Sequence, residues 1–175
     1  MSRGTTKVLL VAVDGSDSAI AALKKAAAAA TADCARLVVL AVTPRRLLSG
    51  PVTVEYREFA RAEHLAGGEA EAAGFAAADV LKEAKETIGD CCGGVTPVYL
   101  SRAGNPTEEI LACAEEQSAD ALYLGTRGLG SLGALFLGSV SQRVADAAGC
   151  PVVIVTEAGE MARRERPGGE FSAIF

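Results

Sequence analysis

No run of the 175 residues reaches the roughly 18 uncharged apolar residues that a membrane-spanning helix requires. The apolar run nearest the N-terminus, "VLLVAV", stops at Asp14 and is too short for the hydrophobic region of a signal peptide. A soluble, cytoplasmic protein is expected. The chain also lacks a basic excess: Lys and Arg number 17 against 22 Asp and Glu, the formal net charge is -5, and the basic residues are scattered. A nucleic-acid groove and an anionic membrane surface are therefore not expected as partners. The five cysteines, Cys34, Cys91, Cys92, Cys113 and Cys150, are odd in number and contain no C-x-x-C pair, which excludes the usual zinc spacing and a secreted disulfide framework. The vicinal Cys91 and Cys92 in "GDCCGG" are either a redox pair or, following the burial habit of free cysteine, idle thiols. The single histidine, His64, lies in a helical stretch, "RAEHLAGG", and reads as a surface residue rather than a general base. No glycine anywhere is followed by lysine, so the P-loop pattern is absent.

What the chain does have is apolar mass. Half of its residues are hydrophobic, enough for one domain with a substantial core, placed at residues 1–156. The charged and Gly-containing tail 157–175 is expected to be mobile, with its last residues, "FSAIF", either frayed or docked on a partner subunit. Five short apolar runs recur at 8–13, 37–42, 95–100, 121–125 and 151–155. They are continuous rather than alternating, as strands covered on both faces are. Helical stretches separate them at 16–32, 55–88, 106–118 and 139–148, the second bent near Gly67. The alternation predicts an α/β fold, Rossmann-like, with an open five-stranded parallel sheet doubly wound between helices on both faces. Residues 43–55 read as a Pro- and Gly-containing loop.

Two helix starts are explicit in the sequence. "NPTE" places Asn105 at an N-cap, Pro106 at the first helical position and Glu108 where a capping box takes it, and "SVSQ" offers the same box with Ser139 and Gln142. The last apolar run would lie at a sheet edge, and an apolar edge left open invites pairing. A homodimer through 152–155 is expected.

The densest signal is the glycine segment after the fourth apolar run, which carries Gly125, Gly128, Gly130, Gly133 and Gly138. In an open parallel sheet, ligands bind at the carboxyl ends of the strands, where strand order reverses. Glycines there let backbone amides approach a ligand, and a helix opening at Gly138-Ser139 presents free N–H groups to an anion. Phosphate is the matching chemistry. The stretch "GLGSLG" also fits the dinucleotide pattern G-x-G-x-x-G, but the helix opens later, no acid follows at the required distance beside a second strand end, and only one strand remains.

A second pattern fits better: G-x-x-G, nine residues, then G-S, which is Gly125, Gly128, Gly138 and Ser139. Together with "VLLVAVDGSDSA" near the N-terminus and "GNPTEEI" before the fourth strand, it resembles the universal stress protein family in its ATP-binding branch, from about Lys7 to Thr156. The resemblance implies strand order 3-2-1-4-5 and phosphates held against Gly125, Gly128, Gly138 and Ser139, near the backbone of Val140 and Ser141. It further implies that Val13 and Asp14 end the first strand, with Asp14 close to ribose and to any Mg2+ or Mn2+, and that Val42 contacts adenine.

For several of these positions a second role stays open. Ser139 can cap the helix and donate to phosphate at once. Asp14 is either a ligand or the start of the turn "DGS". Arg127 either pairs with phosphate or is solvated. Efficient hydrolysis needs a positioned water and cations on the transferred phosphate, and no Lys stands beside the glycine loop. The expected function is a regulatory module of the stress response, switched by ATP, ADP or AMP with slow or no turnover. A metal-dependent ATPase and a non-binding dimerisation scaffold are the alternatives.

Overall fold

In the computed structural model the described residues are 6–44, 71–89, 94–126, 138–165, 167 and 169–174. Their elements run β1 (Val8–Val13), α1 (Asp17–Asp33), β2 (Arg36–Pro44), α2 (Glu71–Ile88), β3 (Val98–Gly104), α3 (Pro106–Glu116), β4 (Ala121–Gly125), α4 (Ser139–Ala147), β5 (Val152–Val155), β6 (Met161–Arg164) and β7 (Ser172–Ile174). One sheet holds all the strands in the order β3-β2-β1-β4-β5-β6-β7. The first five are parallel, and β6 and β7 are antiparallel additions.

Because successive side chains of a strand point to opposite faces, the continuous apolar runs feed two cores. On one face Leu9, Val11, Val13, Leu37 and Val39 meet α1 and α2 through Leu23, Ala26, Ala30, Val80 and Ile88. On the other, Leu10, Val38, Leu40, Leu122 and Ile154 meet α3 and α4 through Ile110, Cys113, Val144 and Ala145. The doubly wound α/β expectation is met.

The helices end where local chemistry ends them. α1 is Ala-rich, with Ala22, Ala26 and Ala30 fully buried at i, i+4 spacing, so a good helix former also allows a close approach to the sheet. It begins on Ser16, whose hydroxyl accepts from the Ala19 amide at 3.3 Å, and stops at Cys34, which takes the left-handed conformation at φ 50°. The Ala35 amide then bonds to the Ala30 carbonyl at 2.8 Å, closing the helix with a C-terminal cap.

The structure corrects four expectations. Among the described residues the sheet has seven strands rather than five, and Met161–Arg164 and Ser172–Ile174, beyond the expected domain, supply the last two of them. Consequently β5 is not an edge strand: its outer side is paired along its whole length with β6, so the edge on which the 152–155 homodimer was argued is occupied. β3 begins after Pro97 rather than at 95 and runs on through Arg102 to Gly104, since proline has no N–H for the ladder and an outermost strand tolerates polar, half-exposed residues. Finally, Thr43 and Pro44 belong to β2, not to the following loop. The expected helix at 55–70, its bend at Gly67, His64, and Cys91 and Cys92 lie outside the described residues. Among the described residues, no helix is long and apolar enough to cross a membrane.

Candidate functional site at the carboxyl ends of the strands

Strand order proceeds outward from β1 through β2 to β3, then returns to the other side of β1 with β4. The reversal between β1 and β4 opens a crevice at their carboxyl ends. Val13, the last residue of β1, is buried and registers opposite Ala41. Val42, next along β2, is partly buried and packs on the α3–α4 face. Asp14 follows Val13 directly, and its carboxylate accepts from the Ser16 amide at 3.0 Å while Gly15 turns at φ +81°. That is the turn-forming role anticipated for Asp14, and it holds the carboxylate at the end of β1.

Gly125 closes β4. A Cβ on it would lie 2.5 Å from the Ala19 amide nitrogen and 2.7 Å from Ser18 Oγ, so the missing side chain is taken up by the first turn of α1. This glycine has a packing reason of its own. The Gly125 carbonyl accepts from Ser141 Oγ at 2.9 Å, which ties the start of α4 to the end of β4. Through that bond the structure brings Gly138, Ser139, Val140 and Ser141 to the same end of the sheet as Val13, Asp14, Val42 and Gly125. Arg127 and Gly128 lie outside the described residues.

The start of α4 differs from the capping box read in the sequence. Gly138, not Ser139, is the N-cap, no side chain among the described residues caps the helix, and its first turn contains no acidic residue. Ser139 is the first helical residue and is exposed. Gln142 reaches forward to Asp146, at 2.9 and 2.8 Å from its two carboxylate oxygens, rather than back to the cap. The first amides of a helix have no intrahelical partner. Among the described residues no side chain caps them, and they carry the positive end of the helix dipole. Gly138 has ordinary extended geometry, φ -59° and ψ 157°, and an added Cβ would meet no described atom within 4 Å. Among the described residues nothing in the fold itself demands glycine there.

Four hydroxyls near these strand ends were not singled out from the sequence. Thr126, 1 % exposed, and Thr43, 5 % exposed, end or follow β4 and β2, and Ser16 and Ser18 face each other at 3.3 Å between their oxygens. For Thr43 and Thr126 the legible signal was a hydroxyl residue within one position of a strand's carboxyl end; Ser16 and Ser18 lie further on, at the start of α1. Beside Val42, Arg102 on β3 is its register partner, yet this cation is engaged elsewhere: it bonds to both Glu116 carboxylate oxygens and approaches Glu109 at 3.7 Å. Its pKa is pushed up, chiefly by the Glu116 bond.

Among the described residues, this end of the sheet gathers neutral donors and a helix N-terminus, which together suit an anion, with Val42 partly buried beside them and Val13 buried in the opposite core. For a metal ion, the described residues contain no group of three or more His, Cys, Asp or Glu placed to hold one. Asp14 alone fits a metal only as a single ligand beside phosphate oxygens.

Residues 5–156 match the model of the universal stress protein family. A universal stress protein of Thermus aquaticus is 39% identical over 150 residues, covering 85% of this chain and 98% of that protein. Among solved structures, the universal stress protein UspA of Lactobacillus plantarum superposes with a TM-score of 0.63 at 23% identity, covering 87% of this chain and 99% of that one. A universal stress protein solved in complex with cAMP superposes with a TM-score of 0.60 at 25% identity, covering 85% and 96%.

Proposed function

The chain belongs to the universal stress protein family, and from that premise we propose that it is an adenine-nucleotide-binding regulatory protein of the stress response, a switch read by occupancy rather than by turnover. The observation that carries this reading is the start of α4, a helix N-terminus with a glycine cap, no capping side chain and no acid in its first turn, held at the switch point by the Ser141–Gly125 bond. The phosphates sit on the amides of Ser139, Val140 and Ser141 and on the Ser139 hydroxyl, with Gly138 leaving room for their approach. Val13 and Val42 flank the base, and Asp14 stands by the ribose and any accompanying Mg2+ or Mn2+. Arg127 and Gly128 complete the phosphate loop. ATP is the proposed ligand, with ADP and AMP as competitors; the cAMP complex of a relative supports a site for adenine nucleotides in this fold.

Turnover is proposed to be slow, because the residues gathered here bind and orient phosphates, whereas phosphoryl transfer also needs a positioned water and cations on the transferred group. The test is calorimetric titration of nucleotide-stripped protein with ATP and Mg2+, beside the Gly138→Val, Ser139→Ala double variant. Saturable binding in the parent that the folded variant loses supports the site. No heat and no thermal stabilisation in the parent refutes it. ADP release faster than a few turnovers per minute would move the assignment to an ATPase.

A further inference from the structure

The helix that opens at the candidate site closes on the C-terminal hairpin of β6 and β7. α4 runs from Ser139 to Ala147, and Asp146, in its last turn, accepts from the guanidinium of Arg164 on β6 at 2.6 Å. The same carboxylate accepts from the Gln142 side-chain amide, one turn nearer the start of the helix. A second link runs through the strands. The Thr126 amide, directly after Gly125, donates to the Val155 carbonyl at 2.9 Å. Thr156 then builds the turn into β6: its amide donates to the Glu160 carbonyl at 2.9 Å, its Oγ1 accepts from the Glu160 amide at 3.1 Å, and Gly159 turns at φ +81°.

Little apolar burial holds the hairpin. Of β6 only Ala162 and Arg164 are buried, and Ser172 and Ala173 of β7 are exposed. Arg164 fastens it to α4. Its side chain is 10 % exposed and pairs with Asp146, its guanidinium carbon lies 4.3 Å from the centre of the Phe171 ring, and its Nε is buried with no hydrogen-bond partner among the described residues. A buried cation with an unmade bond depends on the partners it has. The hairpin is therefore a segment that opens locally, ahead of the parallel core.

We propose, resting on the nucleotide-binding reading, that occupancy at the start of α4 is coupled to closure of this hairpin through Arg164, so that the hairpin is the element that changes with the nucleotide. The coupling is electrostatic. With the hairpin closed, Arg164 neutralises Asp146. With it open, Asp146 is an uncompensated negative charge on α4, about 10 Å along the helix axis from Ser139, and it repels phosphates bound there. That separation is roughly one Debye length at 0.1 M salt, so the effect is severalfold and no larger. A ligand that meets a different field in two states shifts the equilibrium between them. By linkage the shift is reciprocal: the nucleotide favours the closed hairpin by the factor by which closure favours the nucleotide.

The test uses the full chain, stripped of nucleotide, with ATP and Mg2+, read by hydrogen exchange and by calorimetric titration. Its first measurement needs no substitution: saturating ATP is expected to slow exchange at the 161–164 amides at least about threefold more than at 98–104 of β3, on the opposite side of the sheet. Arg164→Met keeps apolar bulk and leaves Asp146 bare. Its dissociation constant for ATP is expected to rise at least about threefold, and the added effect of ATP on 161–164 to disappear. Adding Asp146→Asn, at a position half-exposed on α4, removes the bare charge. The constant is then expected to return to within about twofold of the parent's, an outcome that lost packing does not produce. ATP that binds the parent but slows 161–164 no more than 98–104 overturns the coupling and leaves the nucleotide reading standing. So does an Arg164→Met variant that binds as tightly as the parent, or a double variant that fails to recover. A parent that binds no ATP overturns both.

Discussion

Helices α3 and α4 lie together on one face of the sheet, and they end alike but begin differently. At its last turn each carries a carboxylate, Glu116 in α3 and Asp146 in α4, where the helix dipole disfavours negative charge. Each carboxylate is compensated by an arginine from a strand, Arg102 of β3 and Arg164 of β6. At the other end α3 is sealed: Asn105 Oδ1 accepts from the Thr107 amide at 3.0 Å, Pro106 fills the first position, and Glu108 and Glu109 supply negative charge. α4 has none of these. The start of α3 is satisfied by its own residues and serves stability, whereas the first residues of α4 supply no such seal, which is what the proposed anion site requires.

Making α4 resemble α3 is the sharpest way to break this contrast. Ser139→Asp places a carboxylate among the first amides, and the free protein should hold its stability or gain up to about 1 kcal/mol. ATP affinity should fall by about 100-fold or more, close to 3 kcal/mol, as measured by calorimetric titration. Undiminished binding would remove α4 from the site.

Unsealing α3 is the converse experiment. Asn105→Ala should cost about 1 kcal/mol, lowering the melting temperature by about 2–4 °C for a chain of this size, with ATP affinity unchanged. Gly138→Ser, which gives α4 a capping hydroxyl, should raise stability by only a few tenths of a kcal/mol and weaken ATP severalfold. A variant that binds as tightly as the parent would show that the fold, not a ligand, keeps glycine at 138.

The smallest effects concern the ends that the two helices share. The Asp146 carboxyl is held below its usual range, first by the Gln142 amide and then by Arg164, and the Glu116 carboxyl is lowered by Arg102. Groups lowered on folding stabilise above their unfolded pKa, and that contribution disappears as pH falls through the folded value. Acid titration of the melting temperature should therefore show a decline attributable to these pairs only below the ordinary carboxylate range near pH 4. Asp146→Asn and Glu116→Gln should each flatten it slightly.

Much of the parallel half of the fold was legible because its signals are local. Continuous apolar runs marked β1 and β4 to the residue, and the Asn105-Pro106 start of α3 stands where its side-chain chemistry puts it. The glycine of Gly125 was legible as a residue but not as a cause, since its reason is the first turn of α1, more than 100 positions earlier in the chain. The capping box at Ser139 failed for a related reason: Gln142 found a better partner in Asp146, and Ser141 was drawn to the Gly125 carbonyl.

Composition and periodicity by themselves determined an α/β fold with two buried faces, and the glycine spacing pointed to the carboxyl end of β4, where the proposed phosphate site lies. Only tertiary structure decided what the charged tail does. Nothing in the residues 157–175 alone resembles a core strand, and 161–164 become sheet because β5 presents unpaired backbone that must be satisfied and because Asp146, from another element, compensates the buried Arg164.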